Sequence, residues 1–496
     1  MSTTHVHPLP ATAGRCLLVP NFLTQAECHE LIALSECRGY VTAETDYPPS
    51  YRNNHRHVSD SSDLAARLGE RLRAHVPATL IEDGREWSFD GINERFRFCR
   101  YQAGQRFSVH QDGVHHRGPG CRSHLTVLVY LTDGTAFVGG DTVFYAQGPA
   151  GHGHGGARCE LGRVRPQAGS LLLFDHDIWH AGDEVTAGTK HVLRSDVLYR
   201  ASVEEKHAAE RPEHAGYIWS LAGLEDGWTA SGGRDATIRI WDADGQAVRF
   251  LRGHEQSVLG LAPLPGKRLA SVSRDRSLRI WDWSRNLCEA NVLAHDTAVL
   301  DVIALPDGTL ATGGADGNIK LWRQDGSAIG SLTGKQGWIW QLAAWGSNGI
   351  ASVAEDGSVR IWDVASMRCT DTLEGDTPLR TLLVAEGAIW TGDIAGRVAC
   401  WTPGAAGWRK SSQFQMHRAA VRRLRYLGDG LLASCGEDCA VRVWDATSGG
   451  QVFEARHKNF VTDTLRRGDA LLSSSYDGKI LIHDSCLSPT TGRVSP

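Results

Sequence analysis

The chain has 496 residues, which is too long for one hydrophobic core and indicates roughly two to four domains. Its 52 basic and 57 acidic side chains give a slightly acidic balance, which argues against a surface built for nucleic acid or for an anionic membrane. No apolar run approaches the roughly 18 residues of a membrane span. We therefore expect neither a nucleic-acid partner nor a membrane partner.

The ends and the cysteines favour a cytoplasmic protein. Residues 1–14 are polar and lack the charged-then-apolar order of a secretion signal. The twelve cysteines are scattered without Cys-x-x-Cys pairs, which indicates reduced thiols. The composition changes near residue 200, and the short charged segment 201–213 predicts a helical linker. We predict domains over 1–200 and 214–486, with a tail over 487–496.

The first predicted elements are a strand and two helices. Residues 16–23 read as a strand, and Thr24 with Glu27 forms a capping box for a helix over about 25–35. A second helix is predicted over about 62–75. Between the helices, the polar segment 51–56 is either a loop that faces a substrate or a solvated loop.

Short strands with glycine turns follow, and they are typical of a barrel or a two-sheet roll. They are predicted over residues 125–131, 142–145, 170–174 and 191–199. The glycine-rich segment 147–157 predicts a hairpin tip. His152 and His154 lie in it and could bind a metal, but nothing in the sequence fixes a geometry for them.

A metal site is indicated at the end of the strand-like run 100–113. Residues i and i+2 of a strand point to the same face, so His110 and Asp112 could hold one ion together. One imidazole and one carboxylate are two of the three ligands of a non-haem iron(II) facial triad. The third is expected from a later strand, where His176 and His180 are the candidates.

His180 is followed ten residues later by Lys190. A buried cation at that distance would suit a dicarboxylate co-substrate, because a buried unpaired carboxylate is costly. Arg194 is the alternative cation. His115 and His116 directly follow the first two candidate ligands, and we expect them to lie in a loop.

These residues resemble a known family over about 15–200. The His110-x-Asp112 motif, the run Gly139-Gly140-Asp141-Thr142 with Phe144, and His180 with Lys190 occur in the order found in iron(II)- and 2-oxoglutarate-dependent oxygenases of the prolyl 4-hydroxylase type. The resemblance implies a double-stranded β-helix (jelly roll) with flanking amino-terminal helices. It also implies iron(II), 2-oxoglutarate, O2 and ascorbate as cofactors and co-substrates.

The resemblance further assigns roles to individual residues. Iron would be bound by His110, Asp112 and His180. The outer carboxylate of 2-oxoglutarate would be bound by Lys190, with Tyr101 and Tyr130 close to the co-substrate.

From residue 214 the chain repeats at steps of 39 to 43 residues. A tryptophan ends each repeat except the last, where a histidine replaces it: Trp241, Trp281, Trp322, Trp362, Trp401, Trp444 and His483. Six residues before this position stand Asp235, Asp275, Asp316, Asp356, Asp438 and Asp477. Twenty-six or twenty-seven residues before it stand His214, His254, His295, His417 and His457.

These spacings resemble the WD-repeat family and imply a seven-bladed β-propeller in which the histidines and aspartates are structural. The fifth repeat departs from the pattern, with Gly375 for the histidine and Ala395 for the aspartate, and the fourth has Lys335 for the histidine. The seventh blade either takes its outer strand from residues 490–494 or has an open edge.

The propeller resemblance also implies a ring of side chains on one face. These are Trp219, Leu259, Leu300, Trp340, Arg380, Arg422 and Thr462. Aromatic, aliphatic and arginine side chains together suit a contact with a protein or peptide, but local packing around the channel mouth is the slightly favoured explanation.

The sequence therefore predicts a mainly β, two-domain hydroxylase. The substrate would be a C–H bond of a prolyl or other side chain in a protein that the propeller recruits. One alternative is hydroxylation of a free amino acid or small metabolite. Another is a non-catalytic WD-repeat scaffold with a sensor or relic oxygenase fold, which the intact set of His110, Asp112, His180 and Lys190 disfavours.

Overall fold

The structure, a computed structural model, describes residues 7–8, 12, 14–45, 47, 49, 51–82, 85–118, 121–146, 159–176, 178–201, 214, 216–334, 337–404 and 407–484. These residues fall into two compact units, one up to residue 201 and one from residue 214. Mainly β structure was predicted for both, and this fold class is confirmed.

Two α-helices occur in the described part of the first unit, α1 (Gln25–Arg38) and α2 (Ser62–Leu72). The capping box of α1 is confirmed, since Thr24 Oγ1 accepts the Glu27 N–H and the Glu27 carboxylate accepts the Thr24 N–H. Helix α2 ends three residues before its predicted end. Pro77 disfavours helical backbone at the residue before it, and the chain turns instead with a bond from His75 N–H to Leu72 O.

The larger sheet of the first unit is antiparallel throughout. Its strands are, in spatial order, His7–Pro8, Cys16–Val19, Leu171–Asp175, Cys121–Tyr130, Lys190–Ala201, Arg95–Tyr101, His55–Asp60 and Val41–Thr42. Arg85–Ile92 also pairs with Lys190–Ala201, Thr79–Glu82 pairs with Arg85–Ile92, and His116–Gly118 pairs with Cys121–Tyr130.

The smaller sheet holds five strands. Its order is Phe137–Gly139, Trp179–Gly188, Thr142–Tyr145 and Glu160–Val164, and Gln105–His110 pairs with Trp179–Gly188. The prediction for 142–145 is confirmed, and the other predicted strands differ in their ends. The strand predicted over 16–23 ends at Val19 because Pro20 lacks the N–H that a ladder requires.

The described part of the first unit contains two large hydrophobic clusters. One contains residues of both helices and one face of the larger sheet, for example Leu31, Leu68 and Val127. The other holds Tyr130 and Phe174 of the larger sheet together with Phe107, Phe144 and Val185 of the smaller one. Alternate residues of a strand reach opposite faces, so Cys121–Tyr130 contributes to both clusters.

The second unit is a seven-bladed β-propeller. Its blades are the strand sets Ile218–Gly223, Thr229–Gly233, Thr237–Trp241, Ala247–Arg252; Val258–Leu264, Arg268–Ser273, Ser277–Asp282, Leu287–Leu293; Val299–Ala304, Leu310–Gly314, Asn318–Trp322, Ala328–Thr333; Ile339–Trp345, Gly349–Ala354, Ser358–Asp363, Arg368–Glu374; Leu379–Ala385, Ala388–Asp393, Arg397–Gly404, Gly407–Gln415; Val421–Gly428, Leu431–Gly436, Ala440–Asp445, Gln451–Arg456; and Val461–Arg467, Ala470–Ser475, Ile480–His483.

The ring closes where the innermost strand of the first blade contacts that of the seventh. The buried carboxylate of Asp463 accepts the backbone N–H of Leu221 at 2.9 Å, and Arg423 and Arg425 pair with the same carboxylate at 3.2 and 3.1 Å. A hydrogen bond from Thr462 Oγ1 to Ile218 O (2.6 Å) adds to the closure.

The repeated histidines and aspartates are structural, as predicted, and form hydrogen-bonded networks inside the blades. In the second blade, His254 Nδ1 lies 2.8 Å from Asp275 and Nε2 lies 2.8 Å from Ser271 Oγ, which also accepts the Trp281 indole N–H. Equivalent networks form around His214, His295, His417 and His457. His483 replaces tryptophan in the seventh blade and contacts Ser473 Oγ.

The fifth blade replaces the missing residues by a different network. Asp393, two residues before Ala395, accepts hydrogen bonds from Thr377 Oγ1 (2.8 Å) and Arg397 Nε (2.7 Å). Several predictions lie outside the described residues: the hairpin tip 147–157, Lys335, the linker beyond residue 201, and the tail 487–496 with the possible strand 490–494. Within the described part, the seventh blade has three strands.

Two global expectations concern cysteines and membranes. The eleven cysteines in the described part of the chain are free. None of the helices among the described residues has both the length and the apolar character that a membrane crossing requires.

Candidate metal centre

The register of two strands in the smaller sheet brings two histidines together. His110 ends the strand Gln105–His110, and His180 lies directly opposite it on Trp179–Gly188. Asp112 lies beyond the end of the strand, so the expectation that it shares a strand face with His110 is wrong. Its backbone N–H donates instead to His176 O at 2.8 Å, which turns its side chain toward the two imidazoles.

His110, Asp112 and His180 form one buried cluster whose ligand atoms lie within 4.8 Å of one another. His110 Nε2 is 3.4 Å from Asp112 Oδ1, and His180 Nε2 is 3.6 Å from Asp112 Oδ2. Two imidazoles and one carboxylate around a common point are the donor set of a facial triad.

Backbone carbonyls fix the orientation of both imidazoles. His110 Nδ1 lies 2.8 Å from Ser108 O, and His180 Nδ1 lies 3.0 Å from Ile178 O. Burial lowers the pKa of His110, and it lowers the pKa of His180 to about 3. The neutral rings therefore carry their proton on Nδ1 and direct the Nε2 lone pair into the cluster.

The residues present fit a metal ion. Within the described part of the chain, His110 Nε2 is a buried nitrogen with no hydrogen-bond partner, although it faces the Asp112 carboxylate. A buried polar atom without a partner is costly, and coordination to a cation would remove that cost.

A buried chain of hydrogen bonds supports the carboxylate. Thr126 Oγ1 donates to Asp112 Oδ2 at 2.5 Å, and His176 Nδ1 lies 3.0 Å from the same hydroxyl. Since Thr126 donates its only proton to Asp112, it must accept from His176, whose Nε2 then accepts from Ser123 Oγ at 2.8 Å.

His176, the alternative third ligand, is therefore excluded from the triad by its own bonds. Both of its ring nitrogens are already bonded within this chain. Sequence spacing could not reveal Thr126 or Ser123, because their contacts depend on how the strand Cys121–Tyr130 packs beside Asp112 and His176, which no local pattern fixes.

Arg194 pairs with Asp112 Oδ1. Burial opposes ionisation of this carboxyl group, but Arg194 and the two imidazoles hold the pKa of Asp112 well below its usual value. The alternative cation thus lies at the carboxylate of the triad, apart from Lys190. Asp112 is held as an anion with both oxygens oriented.

Lys190 is buried beside two tyrosines. It is directly opposite Tyr101 in the larger sheet, and its Nζ lies 5.3 Å from the Tyr101 ring centre and 5.8 Å from that of Tyr130. Nζ donates to Gly140 O at 2.6 Å. Burial lowers the pKa of Lys190 to about 8 and raises the pKa of Tyr101 to about 12. The structure thus brings Lys190, Tyr101 and Tyr130 together.

The segment 51–56 is not a solvated loop. Arg52, Asn54 and Arg56 are buried, and the Tyr51 ring packs edge-on against His110 at 6.2 Å. The backbone N–H of Ser108 donates to Tyr51 O, which joins this segment to the strand that ends at His110.

Two further histidines, His115 and His116, directly follow the motif in sequence. His115 lies outside the strands, as predicted. His116 begins the short strand His116–Gly118, so its prediction as a loop residue is wrong; pairing with Cys121–Tyr130 extends the sheet there. His152 and His154 lie outside the described residues.

The predicted ring on the propeller is partly packed against itself. The Arg380 guanidinium lies 3.9 Å from the Trp340 ring centre, and both side chains bond Glu355. Leu259 and Leu300 pack with Trp338 and Trp340. Two further members contact neighbouring side chains: Arg422 pairs with Glu437 at 2.6 Å, and Trp219 lies 5.0 Å from the Tyr476 ring. Thr462 is used in ring closure.

Comparison with known proteins matches the two parts of the chain to two different families. Residues 96–195 match the family described as the 2OG-Fe(II) oxygenase superfamily. Five stretches, 206–242, 245–282, 287–323, 326–363 and 408–445, match the family described as WD domain, G-beta repeat.

Curated relatives resemble one half or the other. Prolyl 4-hydroxylase 13 of Arabidopsis thaliana is 27% identical over 177 residues, 32% of this chain and 59% of the relative. Cell division control protein 4 of Saccharomyces cerevisiae is 25% identical over 306 residues, 57% of this chain and 37% of the relative. A guanine nucleotide-binding protein subunit beta of Schizosaccharomyces pombe is 33% identical over 70 residues, 14% and 23%. The chain covers less than two thirds of each relative.

Proposed function

Because this chain carries a 2OG-Fe(II) oxygenase domain and WD repeats, we propose that it is an iron(II)- and 2-oxoglutarate-dependent dioxygenase that hydroxylates a C–H bond of a protein or peptide. The hydroxylated group would be a prolyl or other side chain, and the propeller would recruit its carrier. The observation that carries the proposal is the buried His110–Asp112–His180 cluster, with an unpartnered Nε2 inside it.

In this proposal, each side chain of the cluster has a role. His110 and His180 bind iron(II) through Nε2 and Asp112 binds it through its carboxylate. Bound iron(II), with 2-oxoglutarate and O2, supplies the oxidative decarboxylation to succinate and carbon dioxide that is coupled to hydroxylation of the substrate. Arg194 and Thr126 keep the Asp112 carboxylate oriented while it serves as a ligand.

Lys190 would bind the outer carboxylate of 2-oxoglutarate. Its ammonium group is buried beside Tyr101 and Tyr130 and bonds a neutral carbonyl oxygen, and no carboxylate among the described residues lies within ion-pair distance of it. A carboxylate that reaches this position gains a charge-assisted hydrogen bond from Lys190. The aromatic side chains Phe107, Phe144 and Phe174 around the cluster exclude water from the same space.

The partner would bind the propeller face that carries Trp219, Leu259, Leu300, Trp340, Arg380 and Arg422. The support is their chemistry, since aromatic and arginine side chains are enriched at protein contacts. We further propose a cytoplasmic location, which the exposed free thiols of Cys37, Cys159 and Cys369 support. Ascorbate would serve as a reductant for iron that has become oxidised.

The test is succinate release from 2-oxoglutarate in the presence of iron(II), O2 and ascorbate, with wild type and His110→Ala compared. Release by the wild type alone is expected. No release by either protein would contradict the proposal and favour a scaffold.

Recruitment has its own test. Cytosolic proteins incubated with wild type should gain hydroxyl groups, detected by mass spectrometry. Leu259→Arg should reduce that gain while leaving succinate release without a protein substrate unchanged. Equal hydroxylation by both proteins would remove the propeller from substrate selection.

A further inference from the structure

Arg52 is a buried cation beside the candidate metal centre. The residue is only 3% exposed to solvent. Nε donates to Asn54 Oδ1 at 2.6 Å and Nη2 donates to Cys99 Sγ at 3.2 Å. Both acceptors are neutral, and in the described part of the chain no carboxylate lies within ion-pair distance of Arg52.

Aromatic rings connect Arg52 to the triad. Its guanidinium carbon lies 4.2 Å from the Phe107 ring centre, and the same ring stacks on the His110 imidazole at 3.6 Å. The strand bridge between Arg52 and Phe107 holds this arrangement through the backbone. Arg52 is therefore one aromatic ring away from a proposed metal ligand.

Arg52 differs from the other two buried cations in what surrounds it. Arg194 pairs with Asp112 and lies near the buried carboxylate of Asp196, and the carboxylates of Asp141 and Asp183 lie near Lys190. Within the described residues, the groups that act on the guanidinium of Arg52 are the Cys99 thiol, two tyrosines and another cation. A buried cation without a counter-charge is costly, so a further anion is expected when the site is complete.

We infer that Arg52 binds a carboxylate of the substrate that is hydroxylated. This inference rests on the proposed function and names the substrate class for that site. Neither carboxylate of 2-oxoglutarate requires Arg52, since the metal takes the inner one and Lys190 the outer one in that proposal. Nε and one N–H of Nη2 of Arg52 are already engaged, and the remaining N–H groups can donate to the two oxygens of a carboxylate.

The carboxylate has two sources, a free amino acid or an acidic side chain in a protein. Two matched pairs of probes separate them: L-proline with L-prolinamide, and an acetylated, amidated peptide containing Pro-Asp with its Pro-Asn counterpart. Binding is measured by calorimetry on the full-length protein with iron(II) and 2-oxoglutarate, without O2.

In the wild type, one acidic probe is expected to bind about 30-fold more tightly than its amide, as for a buried charge pair. Arg52→Gln should remove that preference, and Arg52→Lys, which keeps the charge, should retain part of it. The matched control is Arg73→Gln, because Arg73 is an exposed arginine of the same unit. The pair that shows the preference identifies the source of the carboxylate.

A readout independent of the loaded site tests for a purely structural arginine. The melting temperature of the metal-free Arg52→Gln protein should equal or exceed that of the wild type, because a buried cation without a counter-charge has been removed. The inference would be overturned if the melting temperature fell clearly in both Arg52→Gln and Arg52→Lys and if Arg52→Lys also lost the preference for the acidic probe.

Other outcomes also decide the question. Equal binding of acid and amide, or no binding of either acidic probe, overturns the inference. So does a loss of 2-oxoglutarate affinity in Arg52→Gln as large as that in Lys190→Gln, since Arg52 would then serve the co-substrate. A wild type that binds neither iron(II) nor 2-oxoglutarate contradicts the proposed function itself, which is a different failure.

Discussion

The two halves of this chain use histidine in opposite ways. In the propeller, the five repeated histidines bond side chains through both ring nitrogens: His254, for example, bonds Asp275 through Nδ1 and Ser271 through Nε2. In the first unit, His110 and His180 bond backbone carbonyls through Nδ1 and direct Nε2 into a shared cluster. Burial is similar in both cases, so burial does not distinguish them.

The difference teaches how to separate a structural histidine from a candidate ligand. A histidine whose two nitrogens are bonded contributes to stability and has no lone pair to offer. A buried histidine with one nitrogen unpartnered, such as His110 within the described residues, retains a lone pair at an energetic cost that a ligand can remove. His176 resembles the propeller histidines in this respect.

The sharpest way to break the comparison is to remove one histidine of each kind. His110→Ala should lower succinate release by at least about 1,000-fold, because it removes a ligand, while the melting temperature changes little. His254→Ala should do the reverse: it should destabilise the propeller by about 2–4 kcal/mol, since Ser271 and Asp275 lose a buried partner. Rate and thermal unfolding are measured on both proteins; equal losses in both readouts would refute the distinction.

Removing the buried ammonium group should have the next largest effect. Lys190→Met should weaken the binding of 2-oxoglutarate by about 100-fold, since a buried charge pair is lost. In the wild type, Lys190 binds a carboxylate in its charged form, so with a pKa of about 8 the affinity should fall as pH rises above that value, by about tenfold per pH unit. Calorimetric titration from pH 6 to pH 10 checks this, and a flat profile would contradict it.

The support of the Asp112 carboxylate is tested more finely. Thr126→Val keeps the shape of the side chain but removes the hydrogen bond, so metal affinity should fall by about 10-fold or more. Thr126→Ser keeps the hydroxyl group and should therefore keep the metal affinity of the wild type. Cobalt(II) binding, followed by visible absorption, measures the affinity. A Val variant with unchanged affinity would show that the chain from Ser123 is only structural.

The smallest effect is expected on the stability of the propeller when the pH is lowered. Burial opposes ionisation of Asp275, yet hydrogen bonds from His254 and Ser277 hold its pKa below its usual range. A carboxyl group with a lowered folded pKa stabilises the fold above its unfolded pKa and loses this contribution as pH falls. Asp275→Asn should therefore cost about 1–2 kcal/mol at pH 7 and less at pH 3, measured by urea unfolding. A constant cost at both pH values would contradict this.

Local sequence patterns predicted much of the fold. The capping box at Thr24, the strand 142–145 and the repeated tryptophans depend on neighbouring residues or on a fixed period, and each is confirmed. The order of the strands in the larger sheet could not be predicted, because strands adjacent in space, such as Cys16–Val19 and Leu171–Asp175, are far apart in sequence.

The candidate site divides in the same way. Spacing indicated His110, His180 and Lys190; the structure brings the two histidines together and buries Lys190 beside Tyr101 and Tyr130. It could not indicate Thr126, or the burial of Arg52, because both depend on how separate segments pack and not on a local pattern. It also misplaced Asp112, since the strand ends two residues before it.

The closure of the propeller sets the order in which the chain can mature. Leu221 and Asp463 are bonded although they are 242 positions apart. At a synthesis rate of about 5–20 residues per second, a ribosome needs roughly 10–50 seconds to make the chain between them. The backbone N–H of Leu221 must therefore wait that long for its partner in the seventh blade, whereas the unit that precedes the propeller has already left the ribosome and can fold.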